Sequence, residues 1–494
     1  MYLLGFDLGS SSVKAALVRA DDNSVAGATQ YPDTEMEISS PFPGWAEQDS
    51  DLWWDHICKV TRKLLDQTRV DPAMVKGIGI AYQMHGLVVV DRNGKPLRPS
   101  IIWCDSRAIG EGQKAFDAIG EKICLSRLLN SPGNFTAAKL KWVKDHEPGV
   151  YEQVYKFMLP GDYIGYKLTG EMHTTASGLS EGILWDFQLE SQADLLLNQM
   201  GLDKALIPDL SPTFGLQGVL HEEAARATGL KAGTPVTYRA GDQPNNALSL
   251  GVLNPGEAAA TGGTSGVVYG VTDRPAYDPA SRVNGFVHVN HTPEAPRIGI
   301  LLCINGTGIQ YSWMRRQLGK EALPYPEIEK LAAGVAAGAD GLRILPFGNG
   351  AERMLGNRDP GARMVNIQFN RHTQAHLFRA ALEGIAFSFV YGLSVFEEMG
   401  MSVSTIKVGN DNLFQSAVFA SAIATLTNCR IEMVKTTGAV GAARAAGVGS
   451  GFFASPAEAV GTQELVHVYN PMPNAEAHRS AYRQWKQDLE QLLI

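Results

Sequence analysis

The segment YLLGFDLGSSSVKAALVR, residues 2–19, decides the fold of this 494-residue chain. Its centre, Asp7 to Ser12, is rich in Gly and Ser and is flanked on each side by an apolar run, which predicts two strands joined by a tight turn. The pattern returns at mid-chain, where Glu257 to Ala260 leads into TGGTSG, residues 261–266, and then into a second apolar run. Because each copy opens one half of the chain, we expect two similarly folded domains.

The length of the chain also calls for more than one domain, since a single hydrophobic core stops growing at roughly 250 to 300 residues. Three segments carry apolar residues at helical spacing: Asp51 to Gln67, Ala137 to His146 and Leu377 to Met399. Helices that alternate with strand-like runs indicate α/β architecture. The Gly- and Pro-containing break at residues 251–255 predicts domains of residues 1–251 and 252–494.

Composition and charge exclude several classes of function. The net charge of -8 and the pI near 5.8 argue against a nucleic-acid partner, because such proteins concentrate Lys and Arg on one face. The five cysteines are far apart and form no C-x-x-C pair, so they indicate buried thiols rather than disulfides or zinc. No leader is evident, and no apolar stretch approaches the roughly 18 residues of a membrane span, so we predict a cytoplasmic protein without a membrane partner.

The two Gly/Ser turns have the composition of phosphate-binding sites, because consecutive backbone N–H groups and hydroxyls can surround an anion. A single D-x-G-S-S turn is also typical of an ordinary hairpin in which Asp caps its own backbone. Two copies favour a clamp that grips a triphosphate from both sides. The predicted contacts are Gly9, Ser10, Ser11 and Lys14 in the first copy, and Gly263, Thr264 and Ser265 in the second.

Asp7 lies at the mouth of the first turn and would repel a phosphate, so we expect Mg²⁺ or its waters between them. The chain has no P-loop, no G-x-G-x-x-G that follows a strand and opens a helix, and no protein-kinase signature. The remaining type of ATP clamp is that of actin, Hsp70 and the sugar kinases. The predicted fold is therefore α/β, with two ribonuclease H-like domains and a cleft for ATP and sugar between them.

An ordered set of motifs resembles the FGGY family of carbohydrate kinases over nearly the whole chain, and within it the xylulokinase branch. The motifs are DLGSS (residues 7–11), QMHG (83–86), WCDSR (103–107), FTAAKL (135–140), DY (162–163), TGE (169–171), AGD (240–242), GTSG (263–266) and GAVGAAR (438–444). The resemblance implies transfer of a phosphoryl group from ATP to a small ketose, and D-xylulose is the first candidate for that ketose.

The resemblance also implies roles for single residues. Asp242 follows an apolar run and would be the general base, which shares the metal site with Asp7. Met84 and His85 would contact the sugar. Trp103, Asp105 and Arg107 would form a further wall of the sugar pocket, although a surface turn with an Asp105–Arg107 ion pair fits the same residues.

The adenine side departs from the family pattern, which has Gly-Gly-Gly-Ala where this chain has VGNDN, residues 408–412. Gly409 and Asn410 remain candidate nucleotide contacts, with Asn410 or Asp411 as the cap of a following helix. Gly438 opens a small-residue helix that permits close approach of the nucleotide. A kinase for ribulose or another polyol, an actin- or Hsp70-like ATPase and a homodimer stay open.

Overall fold

The computed structural model describes residues 1–319 and 323–494. The strands are β1 (Tyr2–Leu8), β2 (Val13–Arg19), β3 (Val25–Tyr31), β4 (Glu47–Gln48), β5 (Val75–Tyr82), β6 (Val88–Val90), β7 (Ser100–Ile101), β8 (Lys156–Met158), β9 (His173–Thr174), β10 (Trp185–Asp186), β11 (Ser191–Gln192), β12 (Asp209–Leu210), β13 (Val236–Gly241), β14 (Glu257–Gly262), β15 (Gly266–Thr272), β16 (Asn284–Val287), β17 (Ile298–Ile304), β18 (Arg343–Leu345), β19 (Arg363–Val365), β20 (Thr405–Gly409), β21 (Arg430–Val434) and β22 (Leu465–Tyr469).

The α-helices are α1 (Ser50–Thr68), α2 (Ile109–Ile119), α3 (Glu121–Leu128), α4 (Thr136–His146), α5 (Pro148–Tyr151), α6 (Pro160–Thr169), α7 (Ala176–Glu181), α8 (Asp194–Met200), α9 (Glu222–Thr228), α10 (Asp242–Ser249), α11 (Gly308–Gly319), α12 (Tyr325–Ala333), α13 (Gln374–Glu398), α14 (Ala417–Thr427), α15 (Gly438–Gly449), α16 (Pro456–Val460) and α17 (Glu476–Leu492). The three helices predicted from apolar spacing appear as α1, α4 and α13. Short 3₁₀ turns include Arg353–Leu355 and Leu413–Gln415.

The first hairpin builds a five-stranded sheet in the order β13-β5-β1-β2-β3. Strands β1, β2 and β3 pair antiparallel, whereas β5 runs parallel to both β1 and β13. Apolar side chains on β1 and β2, such as Phe6, Leu8 and Val13, are fully buried, which fixes the register of the hairpin. In that register Asp7 lies opposite Lys14.

The second hairpin builds a seven-stranded sheet, β16-β17-β15-β14-β20-β21-β22. Its five inner strands repeat the first arrangement, because β14, β15 and β17 pair antiparallel and β20 and β21 run parallel to β14. This repeat confirms the predicted α/β fold with two like sheets.

Helix α15 belongs to the C-terminal half of the sequence, yet it packs on the N-terminal sheet. A Cβ atom at Gly5 would overlap the carbonyl oxygen of Ala439, and one at Gly79 would overlap that of Ala442. The two glycines therefore let the helix backbone rest directly on β1 and β5. Contacts of this kind tie the halves together, and the division at residue 251 stays a prediction.

Helix α13 is long and apolar enough to cross a membrane by length and composition, so the statement that no stretch approaches that size was wrong. The protein itself covers this helix: 83% of its most apolar 18-residue window is buried. Phe378, Ile385 and Phe389 on α13 belong to the main hydrophobic core. A core helix of a large domain has the same composition as a spanning one.

Candidate active site

Asp7 lies near the end of β1, where the sheet meets α15. A Cβ atom at Gly438, the first residue of α15, would come within 2.5 Å of Asp7 Oδ2. Burial raises the pKa of the Asp7 carboxyl, and the charge of Lys14 on the neighbouring strand lowers it in part. Only a glycine at position 438 leaves room for this carboxylate beside the helix N-terminus.

Asp242 is the first residue of α10 and follows β13 directly. Burial raises its pKa to about 7, and the negative charge of Asp7 is the second cause. The two carboxylates therefore influence each other, although 235 positions separate them in the sequence. A carboxyl with this pKa can both hold and release a proton near neutral pH.

The N-terminal end of α15 lies along α10 at this point. Asn245 Nδ2 donates a hydrogen bond of 2.9 Å to the carbonyl oxygen of Gly438, and a Cβ atom at Gly441 would collide with Ser249. Helix N-termini carry partial positive charge and favour anions. The arrangement thus combines two carboxylates with two helix ends.

The first predicted phosphate turn is a closed hairpin next to these groups. The Gly9 N–H donates to the Ser12 carbonyl at 3.0 Å, and Gln48 Nε2 donates to the Ser10 carbonyl at 2.7 Å. Ser11 and Lys14 are exposed. The turn is thereby fixed while its outward groups remain accessible to a ligand.

The second turn is held by the start of α11. The N–H groups of Gly308 and Ile309 donate to the carbonyls of Gly263 and Thr264 at 3.0 and 3.1 Å. Gly263 and Thr264 are exposed, and Ser265 is partly buried. A cavity of about 410 Å³ opens beside the first turn of α11, lined by residues that include Ile309, Gln310, Trp313, Arg316 and Met364.

Asp242 also lies close to the strands that carry the second turn. Its negative charge contributes to raising the pKa of the Cys303 thiol, after the larger effect of burial. Cys303 on β17 pairs with Val267 on β15, one residue beyond the start of that strand. Helix α10, which Asp242 opens, packs against β13 of the first sheet and against β14 and β15 of the second.

Met84 lies against Gly241, the residue that precedes Asp242, and His85 follows Met84 in the chain. A Cβ atom at Gly241 would come within 2.5 Å of Met84 Cγ. His85 has a positive φ of 62°, and its Nδ1 atom lies 2.8 Å from the carbonyl oxygen of Glu181. Burial lowers the pKa of His85 to about 3, so Nδ1–H donates this bond and the uncharged ring leaves Nε2 as an acceptor.

Trp103 is 52% exposed, and its indole N–H donates to Ser10 Oγ at 3.3 Å, next to the first hairpin. An exposed indole in this position can cover the apolar face of a sugar.

The structure corrects the prediction that Asp105 contacts the sugar. Its side chain is fully buried, and Oδ2 accepts hydrogen bonds from the Ala46 N–H at 2.6 Å and from the Arg107 guanidinium. Arg107 also lies 3.6 Å from the ring centre of Trp45 and pairs with Glu47. The ion pair that was the alternative interpretation is present, and it lies inside the domain rather than in a surface turn.

The loop after β20 also differs from prediction. Asn412, not Asn410 or Asp411, caps the following 3₁₀ turn, because its Oδ1 accepts from the Phe414 N–H at 3.1 Å. Asn410 instead offers its carbonyl to Gln415. Gly409 ends β20, so it remains at the edge of the sheet where the sequence placed it.

Three charged residues near the site were missed from the sequence. The Glu181 carboxyl lies against Gly241, and its pKa is raised well above the ordinary value by burial and then by the charge of Asp242. Lys139 is fully buried beneath His85. Arg353 lowers the pKa of His85, after the larger effects of burial and of Lys139. Only Lys139 lies in a motif that the sequence singled out, so spacing alone could not reveal the other two.

Among the described residues, no group of three or more His, Cys, Asp or Glu side chains is arranged to hold a metal ion. All five cysteines are free, but only Cys124 and Cys429 are buried, so the prediction of buried thiols is wrong for Cys58, Cys104 and Cys303.

Two like sheets of this topology, with paired carboxylates and Gly/Ser hairpins where their domains meet, define the class of actin-like phosphotransferases. Comparison with known proteins narrows the class. Residues 2–249 match the N-terminal domain and residues 258–450 the C-terminal domain of the FGGY family of carbohydrate kinases. The chain belongs to the FGGY family and is a carbohydrate kinase.

Individual relatives agree with this assignment. The chain is 31% identical to the xylulose kinase of Escherichia coli over 408 residues, 82% of this chain and 81% of that protein. It is also 31% identical to the L-xylulose/3-keto-L-gulonate kinase of Escherichia coli, over 97% of this chain and 94% of that one. The crystal structure of xylulose kinase from Rhodospirillum rubrum superimposes with a TM-score of 0.89 at 28% identity and covers 100% of this chain and 99% of that one.

Proposed function

We propose that this protein transfers the terminal phosphoryl group of ATP to a hydroxyl of D-xylulose and forms ADP and xylulose 5-phosphate. The observation that carries the proposal is the position of Asp242, whose carboxyl has a pKa of about 7. Asp242 follows Gly241, which lies against Met84, and it opens α10, which packs against β14 and β15 of the second sheet. An acid of this pKa, next to the predicted sugar wall, suits a general base at neutral pH.

In this reaction the oxygen of the attacking hydroxyl bonds to the γ-phosphorus while the bond to the ADP oxygen breaks. Asp242 takes the hydroxyl proton as the new bond forms. The exposed N–H groups and hydroxyls of the two hairpins, together with the N-termini of α10 and α15, stabilise the phosphate charge. Lys14, opposite Asp7, adds a positive charge near the first hairpin.

Mg²⁺ fits the pair Asp7 and Asp242, because this ion prefers oxygen ligands. Without a cation between the two carboxylates, the charge of Asp7 adds to burial in raising the pKa of Asp242. The ion would neutralise phosphate charge when bound. Asp7 would hold it through water, and waters and phosphate oxygens would complete its ligands.

The nucleoside of ATP has two candidate surroundings on the C-terminal domain. Gly409, Asn410 and Gly438 remain the contacts proposed from the sequence. The cavity lined by Ile309 and Trp313 adjoins the second hairpin, and its apolar lining suits a purine. If the base enters this cavity, ATP should quench the fluorescence of Trp313, and the quenching should be lost in Trp313→Phe.

The choice of sugar rests on Met84 and His85 and on the names of the relatives. Neutral His85 can accept a hydrogen bond at Nε2 from a sugar hydroxyl, Met84 shapes the pocket, and Trp103 covers its mouth. Other ketoses, including L-xylulose, 3-keto-L-gulonate and ribulose, would use the same base with a different pocket wall.

The decisive experiment is a panel of these sugars, assayed by release of ADP at a fixed ATP concentration. We expect the highest kcat/KM with D-xylulose. Strong turnover of another sugar and none of xylulose would replace the substrate but keep the mechanism. ATP hydrolysis that is indifferent to every sugar would instead favour an actin- or Hsp70-like ATPase.

A further inference from the structure

We propose that Lys139 is a positioning residue for the sugar pocket, which it builds by holding the backbones of two separate wall segments in place. The inference rests on the proposed function, since it concerns how the acceptor sugar is bound. Lys139 itself is out of reach of the sugar, because its side chain is fully buried.

The ammonium group of Lys139 makes two hydrogen bonds, and both go to backbone carbonyls. Its Nζ atom lies 2.8 Å from the carbonyl oxygen of His85 and 3.0 Å from that of Ile102. Ile102 directly precedes Trp103. One side chain on α4 thus joins the segment that carries the imidazole to the segment that carries the exposed indole.

A second contact from α4 supports the first. Thr136 Oγ1, at the start of the helix, donates to the carbonyl of Gly86 at 3.3 Å. His85 needs such support, because a non-glycine residue at φ 62° is in the left-handed region, which is sterically unfavourable for a residue with a Cβ atom. Helix α4 therefore holds the carbonyl groups of His85 and Gly86, the two residues that follow Met84.

Packing alone does not explain a lysine here. Methionine has similar length and would fill the space without the cost of burying a charge. Burial lowers the pKa of Lys139 to about 7, and the charge of Asp105 opposes this shift, with smaller influences of Cys104 and Arg107. A methionine would leave the two carbonyls without their donor, so the amine is retained for its hydrogen bonds.

The proposal predicts a separation of kinetic constants. In Lys139→Ala we expect the KM for the sugar to rise at least about tenfold, while the KM for ATP changes less than about twofold, because the ATP hairpins do not contact this side chain. Lys141→Ala is the matched control, since Lys141 lies on the same helix, is only partly buried and pairs with Asp145. It should keep both constants.

Chemical rescue separates the ammonium from its packing. Ethylamine or propylamine added to Lys139→Ala should restore the sugar KM, whereas propanol should not. A sugar KM that stays unchanged overturns the proposal, and so does a parallel rise of both KM values without rescue by amines.

A measurement without substrate keeps the test valid if Lys139→Ala does not fold or if the proposed function is wrong. Lys139→Met should fold, and its ¹⁵N-labelled His85 ring should show shifted Nδ1–H resonances relative to the wild-type protein. Unchanged resonances would overturn the role of Lys139. The KM measurements use the sugar that the wild-type protein turns over best. If it turns over no sugar, the proposed function is wrong, but the His85 resonances still test the role of Lys139.

Discussion

Replacement of Asp242 by asparagine tests the assignment of the general base most directly. Asn keeps the size of the side chain and its place at the start of α10, but it cannot take a proton at neutral pH. General-base catalysis contributes about 10²- to 10⁴-fold in rate. We therefore expect kcat of Asp242→Asn to fall at least about a hundredfold, with nucleotide binding retained.

The same substitution should make the folded protein more stable. Because the pKa of Asp242 is raised from 3.8 to about 7 in the folded protein, the ionised carboxylate destabilises the folded state. This cost is absent below pH 3.8, grows as the pH rises and is complete above about pH 7. At about 1.4 kcal/mol per pKa unit, its upper limit is about 4 kcal/mol. Asn at this position removes the cost.

The assays are ADP release with the preferred sugar and urea unfolding at pH 8. In the wild-type protein, kcat/KM for the sugar should fall about tenfold per pH unit below the pKa of Asp242, which bound Mg²⁺ lowers from about 7, because only ionised Asp242 accepts the proton. Asp194→Asn is the control, since Asp194 also opens a helix but is exposed and pairs with Lys204. A rate loss below about tenfold in Asp242→Asn, or a lower free energy of unfolding, would refute the reasoning.

Four further outcomes follow from the same site. Asp7→Asn should raise the Mg²⁺ concentration needed for half-maximal rate and shift the acid limb of the pH profile downward, because the charge that raises the pKa of Asp242 is gone; a normal metal titration would count against it. Gly79→Val should lower the free energy of unfolding by more than about 2 kcal/mol in a urea titration, since its Cβ would overlap the carbonyl of Ala442, a residue of α15. Wild-type stability would contradict this packing. Trp103→Ala should raise the sugar KM severalfold in the ADP assay with little loss of stability, and an unchanged KM would remove the indole from the pocket. Asp105→Asn should lower the free energy of unfolding by about 3–5 kcal/mol, the usual effect of breaking a buried ion pair, so an effect on sugar KM alone would restore its predicted role.

Several parts of the site could be predicted because each depends on a short stretch of sequence. The hairpin around Asp7 is recognisable from its glycines and serines between apolar runs, and its second copy identifies the duplicated fold. Asp242 and Met84 follow buried strands, where side chains of α/β proteins reach the cleft.

Other parts failed for a common reason. An aspartate at position 105 could bind either a sugar or a buried guanidinium. Only the packing of Trp45 and Arg107 around Asp105 decides which of the two its carboxylate binds. The cap in the loop after β20 is Asn412 rather than the predicted Asn410 or Asp411, because several neighbouring polar residues compete for one N–H group. Local sequence does not rank such alternatives.

The sequence by itself determined that this chain has two α/β domains, each opened by a Gly/Ser hairpin, with acids at Asp7 and Asp242 suited to phosphate chemistry. These features arise from hydrophobic periodicity and turn residues, which act over a few positions along the chain. Only the tertiary structure decided that Asp7 meets the start of α15 at Gly438, that Lys139 supports His85, and that the pKa of Asp242 rises to about 7. Those properties depend on burial and on charges brought together from distant parts of the chain, and these quantities exist only once the chain has folded.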